Sequence, residues 1–131
     1  MLSSCDFVTS DNGDLDGLWQ ATIKEDLQSG DVVDMRDYNS SWSFQGGMVQ
    51  MNASVLPPDE VVGIFTKTDN YLKVDSLCVF THVNGDKRIV DVTVLDVFGF
   101  TRLDETFQIL ELNSDALCLQ NSRVRLRFRK Y

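Results

Sequence analysis

A chain of 131 residues with 43% hydrophobic and 24% charged side chains has the composition of one ordinary globular domain and not of a disordered segment. Its 20 acidic and 12 basic residues leave a formal charge of −8, which argues against nucleic acid as a partner and against broad adsorption to anionic lipid. One histidine and three cysteines leave little for a zinc site, no metal or other cofactor is expected, and no apolar run reaches the roughly 18–20 residues of a spanning helix.

The first residues, Met1-Leu2-Ser3-Ser4-Cys5, resemble a bacterial lipobox, the junction at which a lipoprotein signal peptide is cut. The resemblance implies a diacylglycerol on the Cys5 sulfur and a lipid-anchored address in the cell envelope, at the periplasm or outer membrane. Without it, Cys5 reads as a free thiol in a frayed terminus. Residues 6–16 are mostly polar, hold four aspartates and have no period. Such a stretch cannot offset its ordering entropy, so residues 1–16 are expected to be a lipobox remnant and flexible acidic tether, with the folded domain over 17–131.

From Gly17 onward, alternation and turn signals recur every 8 to 12 residues, the pattern of an all-β barrel or sandwich. The first strand is predicted over Gly17 to Lys24, with Trp19, Ala21 and Ile23 on one face. Val32, Val33 and Met35 offer a short element. Gly46-Gly47 between two alternating runs predicts a tight hairpin that pairs Phe44 with Val49 and Trp42 with Met51. Pro57-Pro58 marks a loop. Val61 to Lys67 and Tyr71 to Val74 are joined by the Asp69-Asn70 turn. Asn84-Gly85 predicts a second hairpin, between Leu77 to Val83 and Arg88 to Leu95. Its register puts Leu77 and Val79 on one face with Val90, Val92 and Val94, and Cys78, Phe80, His82, Ile89 and Asp91 on the other. Glu105 to Leu112, Ala116 to Gln120 and Arg123 to Tyr131 complete about nine strands in up-and-down order. A meander this long closes to remove its edges, so the expected fold is an up-and-down antiparallel β-barrel of about 8–10 strands.

Gly17-Leu18-Trp19 on the first strand, after a polar leader, resembles the Gly-X-Trp signature of lipocalins. The ending, Phe107 to Leu119 and then Leu126-Arg-Phe-Arg-Lys-Tyr131, is similar to the closing strands of small lipocalin-like lipoproteins of Bacteroides-type bacteria. The resemblance implies a barrel outside the cytoplasm with a cavity for a small apolar molecule. It also implies that Trp19 plugs one barrel end beneath a cation from the last strand, Lys130 as first choice and Arg129 as second. The residues expected to line a ligand cavity are Trp42, Phe44, Met51, Phe65, Tyr71 and Phe107, since methionine and aromatic rings adapt to apolar shapes. The same inward set also reads as a solid core, because an eight-stranded barrel is just wide enough for its own side chains to fill. With a filled barrel, the protein is a non-catalytic interaction module of the envelope, using its outer face or loops.

No enzyme is expected. His82 shares a face with Asp91 and Cys78, but residues two apart on a strand are separated by about 7 Å, too far for a direct hydrogen bond. Cys78 and Cys118 fall on strands that are not neighbours in a meander and are expected to be free thiols. Arg123, Arg125, Arg127, Arg129 and Lys130 form a basic stripe, read either as a contact surface for an acidic ligand or partner or as an outward face paired with acidic neighbours.

Overall fold

The computed structural model describes residues 12–54, 60–81 and 85–131. Among the described residues, ten strands form one antiparallel sheet: β1 Gly17–Asp26, β2 Val32–Asp34, β3 Ser41–Gln45, β4 Met48–Asn52, β5 Glu60–Lys67, β6 Tyr71–Thr81, β7 Gly85–Arg88, β8 Glu105–Leu112, β9 Ala116–Gln120 and β10 Val124–Lys130. Eight of them close into a barrel in the order β1-β3-β4-β5-β6-β8-β9-β10, with β10 pairing back onto β1. The other two are short flaps: β2 pairs with the second half of β1, and β7 pairs with the end of β6. Three 3-10 turns, Gly13–Leu15, Met35–Tyr38 and Val92–Phe98, cover the two barrel ends.

Strand direction defines those ends. At one end lie the leader 12–16, the Gly46-Gly47 turn and the turns at 68–70 and 113–115; we call it the closed end. At the other lie the loop 27–31, the third 3-10 turn and the 121–123 turn; we call it the mouth. The hairpin register around Gly46-Gly47 pairs Phe44 with Val49 and Trp42 with Met51. All four side chains point inward and are buried. On β10, Val124, Leu126 and Phe128 face the core.

Three bulges interrupt the simple alternation, one on β8 between Ile109 and Glu111 and two that correct expected facings. Between Ala21 and Ile23 on β1 the register slips by one residue. Ile23 then pairs with exposed Arg127, while Lys24 pairs with buried Leu126 and joins the inner face. On β5 and β6 a second slip falls between Val62 and Ile64, opposite Ser76, whose φ of 53° is left-handed. Tyr71 to Val74 and Leu77 onward are therefore one bulged strand and not two. Leu72 and Val74 point inward before the bulge and Leu77 after it, so Tyr71 lies outside the barrel, 51% exposed. A bulge inserts one residue on one strand, and that reverses every side chain beyond it.

The largest departure is between residues 89 and 101. The expected valine strand does not form. β7 stops at Arg88, Val90 is 82% exposed, and the chain turns into a 3-10 segment over Val92–Phe98. Local polar chemistry favours this turn over the ladder. The Asp91 carboxylate accepts hydrogen bonds from the Thr93 amide (3.0 Å) and hydroxyl (2.7 Å), which holds the carboxyl below its ordinary range. Gly99 ends the segment at φ 84°, and its amide caps the carbonyl of Asp96.

This segment crosses the mouth and sends Leu95, Phe98 and Phe100 into the core. A Cβ on Gly99 would stand 2.9 Å from Val124 Cγ2. Gly99→Ala should therefore lose about 2–4 kcal/mol, combining left-handed strain with overpacking. Urea denaturation tests this, and an unchanged midpoint would contradict the tight approach.

Candidate functional site

The closed end is sealed by the leader. Leu15 is fully buried, and its carbonyl accepts a hydrogen bond from the Trp19 indole N–H at 2.8 Å. The Lys130 ammonium lies 4.4 Å from the centre of the Trp19 ring. It also donates to the carbonyls of Asp14 (2.8 Å) and Asp16 (2.5 Å). Residues 12–16, expected to be part of the tether, are thus packed against the closed end, where Lys130 fastens them. Arg129 points outward and donates to Gln20 Oε1 at 2.6 Å. Lys130→Met should destabilise the fold by about 1–2 kcal/mol through loss of the cation–π contact and the carbonyl bonds. It should also shift the fluorescence of Trp19. A midpoint matching that of the parent chain would show the contact to be idle.

The barrel interior is solid around the expected lining residues. Trp42 is the hub, with ring centres of Phe128, Phe107, Phe100, Phe44 and Phe98 at 5.1, 5.8, 5.9, 6.1 and 6.4 Å. Phe65 stands edge-on to Phe44 at 5.1 Å. Those separations are the ordinary range for packed aromatic pairs. Trp42, Phe44, Met51 and Phe107 expose 1% of their surface or less. Five of the six expected lining residues therefore meet in a packed core, and the sixth, Tyr71, is outside.

The mouth holds the open space. A cleft of about 680 Å³ lies between the 27–33 flap, the third 3-10 turn and the start of β10. Val33, Val92, Phe100 and Val124 give it apolar walls, and Lys24, Asp26, Asp31, Asp96 and Arg123 bring charges of both signs. A smaller recess of about 380 Å³ adjoins it through Lys24, Val33 and Asp96, and reaches Met35 and Tyr38. Volumes of this size match small-molecule sites.

The rim is ordered. Asp26 Oδ1 accepts from the amides of Gln28 (2.8 Å) and Ser29 (3.0 Å), and its other oxygen lies 3.6 Å from Arg123. The Ser29 and Gln28 amides, with help from Arg123, hold the Asp26 carboxyl below its ordinary range. Lys24 donates to the Asp96 carbonyl at 2.6 Å and so ties β1 to the 3-10 segment.

Under the cleft sits a buried polar node. Glu105 points inward from β8, and its Oε1 accepts from the Thr101 amide (2.9 Å), the Thr101 hydroxyl (2.7 Å) and Asn121 Nδ2 (3.0 Å). Asn121 Nδ2 also donates to the Gly99 carbonyl at 2.9 Å, while its Oδ1 accepts from the Arg123 and Val124 amides, each at 2.8 Å. The mouth segment is latched to β8 and β10 through two side chains.

The sequence does not point to the cleft residues, because Arg88 to Leu95 reads as a strand. The Asp91-Val-Thr93 cap and Gly99 were the available signals. Cys5, His82 and Pro57-Pro58 lie outside the described residues. Among the described residues, no group of three or more His, Cys, Asp or Glu side chains is placed to hold a metal ion, and no helix is long and apolar enough to cross a membrane. Cys78 and Cys118 are both free. Cys118 faces outward opposite Arg127 but is covered, and burial raises its thiol pKa. The basic stripe is partly paired, Arg125 with Glu25 at 3.5 Å and Arg123 with Asp26.

Two solved structures share the barrel. A lipocalin-like protein from Bacteroides uniformis is 22% identical, with a TM-score of 0.64 over 91% of this chain and 100% of its own. An uncharacterized protein from Bacteroides eggerthii is 17% identical, with a TM-score of 0.63 over 89% of this chain and 99% of its own. No curated protein matches the sequence. The family model described as "Lipocalin-like domain" matches residues 1–131. Lipocalin-like barrels are generally non-catalytic binding folds. The chain therefore belongs to the lipocalin-like domain family.

Proposed function

We propose that this chain is a lipid-anchored protein of the cell envelope that binds a small amphipathic molecule at the barrel mouth and has no catalytic role. The cleft carries the reading: Val33, Val92, Phe100 and Val124 give it apolar walls, and its rim offers charges of both signs. The packed interior argues against a purely apolar ligand swallowed between Trp42 and Phe107. Family membership supports a binding role, and the lipobox-like Leu2-Ser3-Ser4-Cys5 supports the anchor. The net charge of −8 supports partners other than nucleic acid.

The ligand site is tested with 1-anilinonaphthalene-8-sulfonate, an aromatic body carrying one anionic group. Its fluorescence should rise saturably with the native chain. Val33→Trp, which fills the cleft wall, should weaken binding by about tenfold, equal to ~1.4 kcal/mol. Equal affinities for both chains would sink the mouth site. The anchor is tested separately by the intact mass of the chain recovered from its own membranes. A diacylated Cys5 at the new N-terminus is expected, and an unlipidated chain retaining Met1 would remove that part of the proposal.

The solid core also favours a second reading, a non-catalytic interaction module that works through its outer face. Under that reading the probe binds nowhere saturably, and the chain sediments with a stoichiometric envelope protein.

A further inference from the structure

We infer that the closed end of the barrel is a docking surface for the zwitterionic headgroups of the membrane that holds Cys5, so that the mouth faces away from the bilayer. The inference rests on the lipid-attachment reading of Cys5. Three observations carry it.

The first is where the leader meets the barrel. Asn12 donates from Nδ2 to the Gly46 carbonyl at 2.8 Å, Leu15 is buried, and Lys130 fastens the carbonyls of Asp14 and Asp16. The leader is therefore fixed to the closed end from Asn12 onward. Only residues 6–11 separate that point from Cys5, a reach of about 25 Å at most. β1 spans ten residues, about 30 Å of strand and roughly 23 Å of axial height at ordinary barrel tilt. Bringing the mouth to the bilayer would stretch the leader along the whole wall. Resting the closed end there requires no such extension.

The second is the set of side chains around that rim. Met48 follows the Gly46-Gly47 turn, Tyr71 follows the 68–70 turn, and Tyr131 ends the chain beside Leu18, whose carbonyl accepts its amide at 3.0 Å. Met48, Tyr71 and Tyr131 expose more than half of their surface, and Leu18 exposes 41%. Tyrosine suits a headgroup region because one end of the ring is apolar and the other polar.

The third is charge. Asp14, Asp16, Asp69, Glu111 and Asp115 lie at this end against Lys67, Arg129 and Lys130, and both of the Lys130 bonds given above are to the leader. Anionic headgroups are disfavoured there, which leaves a zwitterionic surface as the occupant. A consequence is that the cleft samples the aqueous phase and does not draw its ligand from the anchoring bilayer.

The experiment uses ¹⁵N-labelled full-length chain with Cys78→Ser and Cys118→Ala, coupled through Cys5 to a maleimide lipid in phosphatidylcholine nanodiscs that carry a headgroup spin label. Chemical coupling makes the orientation independent of whether cells lipidate Cys5, which the mass measurement decides. A dispersed amide spectrum before coupling establishes that the chain is folded. Loss of amide signals is expected at 46–48, 69–71, 114–115 and 131, with signals at 28–31, 93–96 and 122 retained. Adding phosphatidylglycerol, or replacing Met48 and Tyr131 with serine, should restore the lost signals. Uniform broadening, or loss confined to the mouth, would overturn the inference.

Discussion

Replacing Trp42 with alanine is expected to destabilise the protein by about 3–5 kcal/mol, more than any other single truncation in the barrel. Five phenylalanine rings lie within 6.4 Å of the Trp42 ring centre, and the side chain is 1% exposed. The loss combines transfer of the indole, the cavity left behind and the edge-to-face contacts. Typical domain stabilities are about 5–15 kcal/mol, so a large part of the folded population is at stake. Chemical denaturation reads the loss. A more specific signature comes from indole added to the solution. An apolar cavity left by Trp42→Ala should bind indole and regain midpoint in proportion to its concentration, whereas the native chain should not respond. A native chain that responds as strongly as the variant would mean that the interior is already open.

The second large effect concerns the latch under the mouth. Glu105→Ala removes the acceptor of three hydrogen bonds and leaves the Thr101 amide and hydroxyl without their buried partner. The expected loss is about 2–4 kcal/mol, since groups left unpaired carry their own desolvation penalty. The loss should also be local. Amide exchange should accelerate at 93–101, where the plug is held, and remain slow in β3 and β4, which do not touch the latch. Glu105→Gln keeps one acceptor oxygen and should recover part of the stability. Uniform acceleration along the chain, or no change at 93–101, would show that the segment is held by Leu95, Phe98 and Phe100 alone.

How much of this was legible in the sequence depends on which physical signal decides each segment. Two-residue turns decide register, so Gly46-Gly47 specifies the Trp42–Met51 and Phe44–Val49 pairs correctly. Alternation also decides β10, where Val124, Leu126 and Phe128 face in and the arginines face out. For the expected pair of Trp19 and a cation from the last strand, the Lys130 ammonium stands 4.4 Å from the Trp19 ring centre. Alternation fails where a bulge intervenes. Nothing in Ala21-Thr22-Ile23 or Asp75-Ser76 announces the extra residue, and Ile23 and Tyr71 are consequently on the other side of the sheet. The mouth was misread for a different reason. Val90, Val92 and Val94 alternate as a strand does, yet two hydrogen bonds from Thr93 to Asp91 and the left-handed Gly99 favour a turn. The cleft depends on that turn, so the site was invisible while the segment read as β. Of the expected lining residues, Trp42, Phe44, Met51, Phe65 and Phe107 are buried against one another, while Tyr71 faces outward.

The central claim is that recognition happens at the mouth while the barrel stays filled. A ¹⁵N spectrum of the native chain titrated with 1-anilinonaphthalene-8-sulfonate tests it most directly. Saturable shifts are expected at the amides of Lys24, Val33, Thr93, Thr101 and Arg123, with the Trp42 indole N–H unmoved. Shifts of the Trp42 indole and the Phe44 and Phe107 amides, with the mouth residues still, would place the ligand inside the barrel and contradict it.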